Sequence, residues 1–245
     1  MGNKRGVDYP RFVALTVLNR IEGRGSYADI VLDRLFRDEN ALSPLDRAFI
    51  TELVYGTLKW RMRIDWIISR FSSIKPSKME RNVLNILRIG VYQLLFLEKV
   101  PPSAAVNESV RLSVERKRKG FINGVLRKIE REKGTILYPD REKEPVEHIA
   151  AFYSHPPWII ERWIKRYGIE ETMALCKTNN TPPPFTLRVN ILKTAREKCL
   201  RFFSDRGIRA EPACFSPDGI KISKPGNIIE GLEKGLFFIQ DEASQ

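Results

Sequence analysis

The chain has 245 residues, of which 42% are hydrophobic and 29% charged, enough apolar material for one large or two ordinary folded domains. Its net charge is +12, and no apolar run approaches the roughly 18 residues that a membrane-spanning helix needs. The N-terminus lacks the apolar stretch of a signal peptide, so we expect a cytoplasmic protein.

Residues 10–133 show helical periodicity throughout and no strand pattern. The predicted helix starts lie at Pro10, Ser26, Ser43, Ser77 and Ser103. Ser43 with Asp46 and Ser77 with Glu80 have the spacing of capping boxes, in which the two side chains satisfy each other's free backbone N–H groups. The helix after Ser77 is apolar on more than one face and is expected to run through the core. This half therefore predicts an all-α bundle.

Residues 134–147 mix glycine, prolines and charges and are interpreted as a linker. Two short helices are expected next, and then a strand at 185–189, where apolar and polar residues alternate. Thr194 and Glu197 have the spacing of a third capping box, and Gly207 suits the end of that helix. The remaining predicted strands are 208–215, 220–222 and 236–239. This order indicates a small α+β unit resembling a ferredoxin-like sheet.

The three cysteines argue against both a disulfide framework and a zinc site. Cys176, Cys199 and Cys214 are odd in number, far apart and outside any C-x-x-C pair, and the two histidines do not lie at ligand spacing from them. We expect reduced cysteines and no bound metal.

Nearly all of the excess positive charge lies in the first half. Residues 1–135 contain 26 Lys and Arg against 15 Asp and Glu, whereas residues 136–245 contain 16 against 15. A folded domain with this bias usually meets a polyanion, most often nucleic acid. The alternative is a basic surface without a function.

The densest positive run is Arg116–Lys119, which is expected to lie between two helices. Lysines and arginines at helix ends hold phosphates without reading bases, although most such runs are solvated helix ends. The predicted RNA-binding residues are Lys4, Arg5, Arg11, Arg116, Lys117, Arg118, Lys119, Asn123, Arg127, Lys128 and Arg188. Tyr153, Trp158 and Trp163 could stack on bases, but their helical spacing favours a place in the core.

No motif for catalysis or for a nucleotide cofactor is present. The sequence contains no G-x-G-x-x-G loop, Walker motif, H-E-x-x-H or G-x-S-x-G. We therefore predict no catalytic, cofactor-binding or metal-binding residues in this chain.

Six segments resemble, in order, the signatures of one family. They are D-R-A and E-L-V-Y-G-T-L within 46–58, L-R-I-G-V-Y-Q-L at 87–94, V-P-P-S-A-A-V-N-E at 100–108, F-I-N-G-V-L-R at 121–127, P-P and L-R-V-N within 183–190, and G-L-F-F-I-Q-D-E-A-S-Q at 235–245. The family is the bacterial ribosomal RNA cytosine-C5 methyltransferases of the Fmu/RsmB type. One departure is Gly124, where the family usually has alanine.

The resemblance implies an all-α NusB-like helical bundle followed by a small α+β, ferredoxin-like N1 domain. The expected boundaries are a NusB-like domain at 1–135, a linker at 136–147, the N1 domain at 148–235 and the first residues of a catalytic domain at 236–245. It further implies a parent enzyme that makes 5-methylcytosine in 16S ribosomal RNA. S-adenosylmethionine (AdoMet) would bind in a catalytic domain beyond Gln245. No cofactor is expected to bind to this chain.

The family's two catalytic cysteines stand in T-C-S and P-C contexts, which none of the three cysteines here shares. The chain alone is therefore predicted to be a truncated, inactive monomer whose partner is 16S ribosomal RNA, with no membrane and no metal partner. Two alternatives stay open. One is a stand-alone NusB-like RNA-binding module without catalysis, and the other is a scaffold whose basic face meets acidic proteins.

Overall fold

A computed structural model describes residues 8–38, 42–223 and 228–245. The chain forms two compact units, Met1–Asn180 and Thr181–Gln245, which we call the helical unit and the sheet unit. The helices of the helical unit are α1 (Tyr9–Arg24), α2 (Ala28–Asp38), α3 (Pro44–Lys59), α4 (Arg61–Phe71), α5 (Arg81–Phe96), α6 (Pro102–Leu112), α7 (Arg116–Glu132), α8 (Pro145–Tyr153), α9 (Pro157–Tyr167) and α10 (Ile169–Asn179). No described helix is long and apolar enough to cross a membrane.

Local capping signals explain where α1 and α3 begin. The Asp8 side chain accepts a hydrogen bond from the Arg11 backbone N–H, and a proline occupies the first turn of α1. At α3, the Ser43 side chain accepts from the Asp46 N–H while the Asp46 carboxylate accepts from the Ser43 N–H. The capping box predicted at Ser43 is therefore confirmed.

The start predicted at Ser77 is wrong. Ser77 lies inside a 3-10 turn, Pro76–Lys78, which is closed by a 2.9 Å bond from the Lys78 N–H to the Lys75 carbonyl. Helix α5 begins only at Arg81, after Glu80, and no side chain caps it. Pro76 favours this tight turn because its ring fixes φ. The capping box predicted for Ser77 and Glu80 therefore does not form.

Helix α5 is the centre of the helical unit. Every residue from Val83 to Leu94 is buried, as its apolar sequence predicted, and α1, α3, α4, α6 and α7 pack around it. Two glycines permit this close packing. A Cβ on Gly56 of α3 would lie 2.0 Å from the Tyr92 ring, and a Cβ on Gly90 would lie 2.7 Å from Leu126.

Two residues of the predicted linker, Leu137 and Tyr138, are bonded to α4. The Trp66 indole N–H donates to the Leu137 carbonyl (3.2 Å), and the Arg63 guanidinium donates to the Tyr138 hydroxyl (2.8 Å). Arg63 also lies over the rings of Trp60, Phe96, Tyr138 and Phe152, at 4.4 to 5.5 Å from their centroids. An arginine among four aromatic rings fixes this segment through cation–π and hydrogen-bond interactions.

Helices α8 to α10 form a small core of their own around Ile149, Ile160 and Cys176. Helix α8 has no counterpart among the sequence-based predictions. The compact helical unit thus continues to Asn180, whereas the sequence placed a domain boundary near residue 148. Tyr153 and Trp163 pack against this core as predicted, but Trp158 is 63% exposed, so its predicted burial is wrong.

The sheet unit has the order β1-α11-β2-β3-α12-β4. Its elements are β1 (Phe185–Val189), α11 (Arg196–Ser204), β2 (Ala210–Pro212), β3 (Gly219–Ile222), α12 (Ile229–Glu233) and β4 (Phe237–Ile239). The strands form one antiparallel sheet in the order β2-β3-β1-β4, with Leu187 paired to both Ile220 and Ile239. This is the split βαβ arrangement of a ferredoxin-like domain, so the predicted fold class is confirmed.

The predicted capping box at Thr194 does not form. Thr194 belongs to a turn in which its N–H donates to the Asn190 carbonyl (3.0 Å), and α11 starts after Ala195 without a side-chain cap. The predicted helix end at Gly207 is confirmed. Gly207 has a positive φ of 67°, and the next N–H donates to the Phe203 carbonyl (2.9 Å), which closes the helix in the manner of a Schellman motif.

Candidate nucleic-acid interface

The basic run Arg116–Lys119 forms the first turn of α7 rather than a connection between two helices. Glu115 precedes it without capping it through its side chain. Positive charges at a helix N-terminus meet the positive end of the helix dipole, which disfavours them by roughly a few tenths of a kcal/mol each. The same end therefore concentrates positive potential and suits an anion.

Helix α7 has one buried and one exposed face. Its buried residues are Ile122, Val125, Leu126 and Ile129. The opposite face is exposed and consists, at helical spacing, of Arg116, Lys117, Gly120, Asn123, Gly124, Lys128 and Arg131. Basic residues thus flank two glycines that lie one turn apart.

Two arginines of α7 are held by neighbouring carboxylates. Arg118 bonds Glu80 (2.7 Å) and Glu115 (3.0 Å). Arg127 bonds Glu130 (2.9 Å) and donates to the side-chain oxygen of Asn107 (3.1 Å). Within the described parts of the chain, no carboxylate pairs with the other cations of α7, namely Arg116, Lys117, Lys119, Lys128 and Arg131.

A groove of about 530 Å³ runs between the C-terminal end of α4 and α7. Its lining, which defines the α4–α7 groove, is Arg70, Phe71, Ser72, Ser73, Gly120, Phe121, Gly124, Val125 and Lys128. The Lys128 ammonium lies 5.7 Å from the centre of the Phe71 ring, across the groove. Arg70, Gly120 and Gly124 are not among the site residues predicted from the sequence. Two glycines four positions apart in a helical pattern were the available signal.

The other predicted RNA-binding residues lie elsewhere. Lys4 and Arg5 fall outside the described residues. Arg188 is exposed on β1, in the sheet unit. Arg11 is only 8% exposed, and its guanidinium bonds Gln93 (2.7 Å) and Asp8 (3.0 Å). The expectation that Arg11 is available to RNA is therefore corrected, because its donors are used inside the fold.

Arg88, in the second signature segment, anchors a buried polar network. It donates two 2.7 Å bonds to Asp65 and one 2.5 Å bond to Glu22, and it also contacts the Asn85 side chain (2.9 Å). Burial acts to lower the pKa of Arg88, but the bonds and charges of Asp65 and Glu22 outweigh it and raise the pKa. Arg88 is thus a fixed cation that ties α5 to α1 and α4.

Tyr92, four residues later, is also used internally. Its hydroxyl donates to the Glu52 carboxylate, and burial together with this acceptor raises its pKa well above the ordinary value. With Gly56 against its ring, Tyr92 links the first signature segment to the second.

Two of the three cysteines are buried thiols with a raised pKa, which is the opposite of an activated nucleophile. Cys176 and Cys199 are buried, and burial raises the pKa of Cys176 to about 11, so its thiol is protonated at neutral pH. Cys214 is exposed. Among the described residues, no group of three His, Cys, Asp or Glu side chains could hold a metal ion.

Two family models match this chain. The NusB family model matches residues 9–131, half of the chain. The chain belongs to the NusB family. A second model, the ferredoxin-like domain of RsmF/B-like methyltransferases, matches residues 155–229. This match begins between α8 and α9 and includes α9 and α10 of the helical unit, so the family's second domain and the compact sheet unit start at different residues.

Curated relatives of this NusB family member combine both regions. It is 36% identical over 240 residues to the probable ribosomal RNA small subunit methyltransferase B of Bacillus subtilis, covering 96% of this chain and 52% of the relative. It is 30% identical over 240 residues to the Escherichia coli ribosomal RNA small subunit methyltransferase B, covering 96% and 53%. The chain thus spans about half the length of these relatives, and the resemblance stated from its motifs is confirmed.

A solved structure supports the fold. The crystal structure of PH0851 matches 98% of this chain and 55% of its own, with a TM-score of 0.64 at 19% identity. At this identity the match shows a shared fold and nothing about substrate.

Proposed function

We propose that this chain is the N-terminal, RNA-binding part of an AdoMet-dependent methyltransferase that makes 5-methylcytosine in 16S ribosomal RNA. The proposal rests on the presence of a NusB domain and an RsmF/B-like ferredoxin-like domain in one chain. Relatives that share both are named ribosomal RNA small subunit methyltransferase B.

The proposed phosphate contacts are the cations of α7 that pair with no carboxylate among the described residues. Arg116, Lys117 and Lys119 lie at the electropositive end of the helix, and Lys128 and Arg131 follow two to four turns later. Cations that no carboxylate neutralises can exchange solvent counterions for phosphates, which makes binding strong at low salt and insensitive to sequence. The paired Arg118 and Arg127 would first have to leave Glu80 and Glu130.

Gripping the surrounding RNA would serve the chemistry of the parent enzyme. Carbon 5 of cytosine is a poor nucleophile until a thiolate adds to carbon 6. A cytosine within a helix must also be unstacked, at a cost of a few kcal/mol. Contacts with the flanking phosphates can offset that cost and hold the target nucleotide in register.

The described residues of the sheet unit do not fit AdoMet itself. Cofactors of that kind bind at the carboxyl ends of parallel strands, where a glycine-rich turn leads into a helix. The sheet here is antiparallel, and the turn after β1 is occupied by Asn190, whose side chain donates to the Gly235 carbonyl (2.9 Å). AdoMet is therefore assigned to a catalytic domain outside this chain.

The test is binding of the chain to 16S ribosomal RNA fragments over a range of salt concentrations. If about four to five cations replace counterions, affinity falls with a log–log slope of roughly −3 to −4. That slope corresponds to about 100-fold between 50 and 200 mM salt. An affinity that does not change over this range contradicts the proposal. Methyl transfer is measured on the complete natural protein with labelled AdoMet, and transfer to an RNA other than 16S contradicts the proposed substrate.

A further inference from the structure

Two of the residues that line the α4–α7 groove, Gly120 and Gly124, have no side chain, and we call this part of the α7 surface its floor. Gly120 and Gly124 both lie inside α7, four residues apart on its exposed face. A Cβ built on either would meet nothing within 4 Å, and neither is among the described glycines with positive φ. Packing and backbone conformation therefore do not require glycine at these positions, in contrast to Gly56 and Gly90.

Glycine is a poor residue for a helix interior because it loses more backbone freedom than alanine on folding. Two open glycines in one helix are thus a local disadvantage that the fold does not explain. What they do provide is a smooth stretch of helix surface that another chain can approach closely.

The rim of this floor is basic and polar. Arg70 stands at the end of α4, Lys128 stands on α7, and Ser72 and Ser73 complete the α4 side. No acidic residue lines the groove. No carboxylate in the described parts of the chain is paired with Arg70 or Lys128. The occupant favoured by these charges is a slender polyanion.

We propose that the α4–α7 groove seats the sugar-phosphate backbone of RNA. Arg70 and Lys128 contact phosphates, and Gly120 and Gly124 let the nucleic-acid backbone lie against the helix. The inference rests on the proposed function, because it names where on the helical unit the RNA lies. It extends the site from the cations of α7 to the two glycines between them and to Arg70 of α4.

A larger side chain at Gly124 tests the proposal, because it should block RNA binding without weakening folding. Gly124→Leu adds a strong helix former in open space, so thermal stability is retained or raised. RNA affinity is expected to fall roughly tenfold or more, since the side chain occupies the space of the RNA backbone. The matched control is Ala174→Leu, at an exposed position of α10 that lies on another helix. It is expected to leave RNA affinity unchanged.

The rim is tested by Arg70→Gln and Lys128→Gln. Each is expected to weaken binding to all RNA sequences alike and to reduce the magnitude of the salt slope by about one. Binding is measured by fluorescence anisotropy on the intact 245-residue chain with a 16S ribosomal RNA fragment, and a polyglutamate peptide serves as the competing class of ligand.

The outcomes distinguish a failure of the groove as the RNA site from a failure of the proposed function. If the wild-type chain fails to bind RNA, the proposed function fails. If it binds with the expected salt dependence but Gly124→Leu binds as tightly, the groove is overturned and the function stands. Polyglutamate binding with the same sensitivity to Gly124→Leu assigns the groove to an acidic protein and also overturns the inference.

Discussion

Helices α5 and α7 belong to the same unit but use their polar residues and glycines in opposite ways. In α5, Arg88 and Tyr92 are bonded to carboxylates of neighbouring helices, and Gly90 makes room for Leu126. In α7, five cations have no carboxylate partner among the described residues, and Gly120 and Gly124 face open space. The fold accounts for the polar residues and the glycine of α5, and for the buried residues of α7, but it gives these cations and glycines of α7 no internal partner. Exposed residues without an internal partner are therefore the better guide to function.

The largest expected effect is the loss of Arg88. Arg88→Met removes the cation that Asp65 and Glu22 share, and both carboxylates are partly buried. We expect the free energy of unfolding to fall by about 3 kcal/mol, the scale for breaking a largely buried pair. The measurement is denaturant unfolding.

The control for Arg88→Met is Arg111→Met. Arg111 pairs with Glu108 at the surface (2.8 Å), and exposed pairs contribute about 0 to 1 kcal/mol. Equal losses for the two variants would show that α5 is not held by its network.

Gly56→Ala tests the close packing of α3 against α5. The new methyl group would lie 2.0 Å from the Tyr92 ring, so the helices must move apart or the ring must turn away from Glu52. Overpacking of this kind costs about 1 to 3 kcal/mol, and thermal unfolding measures it. An unchanged melting temperature would mean that the contact between α3 and α5 is looser than the structure shows.

The same substitution is expected to have the opposite sign in α7. Gly120→Ala and Gly124→Ala should each stabilise the protein by about 0.5 to 1 kcal/mol, because alanine has the higher helix propensity and no atom lies in its way. Opposite signs for Gly56→Ala and Gly124→Ala would show that only the first glycine is required by packing. A destabilised Gly124→Ala variant would break the comparison, since the glycine would then be needed for folding.

The smallest stability effect is expected for the cations of α7. In Lys117→Gln with Lys119→Gln, unfolding should change by less than about 0.5 kcal/mol, as for most surface substitutions. The magnitude of the salt slope of RNA binding should nevertheless fall by about two, one for each lost phosphate contact. Calorimetry and anisotropy on the same samples measure the two quantities. A large loss of stability with an unchanged slope would assign these residues to the fold.

The sequence by itself determined the features that depend on neighbours along the chain. Helical periodicity predicted the bundle and the course of α5 through its core, because buried faces repeat every 3.6 residues. The capping box at Ser43 and the helix end at Gly207 were also predicted, since each uses groups within a few residues. The alternation at 185–189 predicted β1 for the same reason.

Tertiary structure decided what depends on distant partners. Arg11 looked like a surface cation, but Gln93, 82 residues away, accepts its hydrogen bond. Residues 136–144 read as a linker because nothing local shows that Arg63 bonds Tyr138, 75 residues further on. The groove beside Gly124 likewise depends on the tertiary fold, because the C-terminal end of α4 forms its other side. A side chain's type limits the contacts it can make, but the fold decides whether a partner, solvent or an open groove lies beside it.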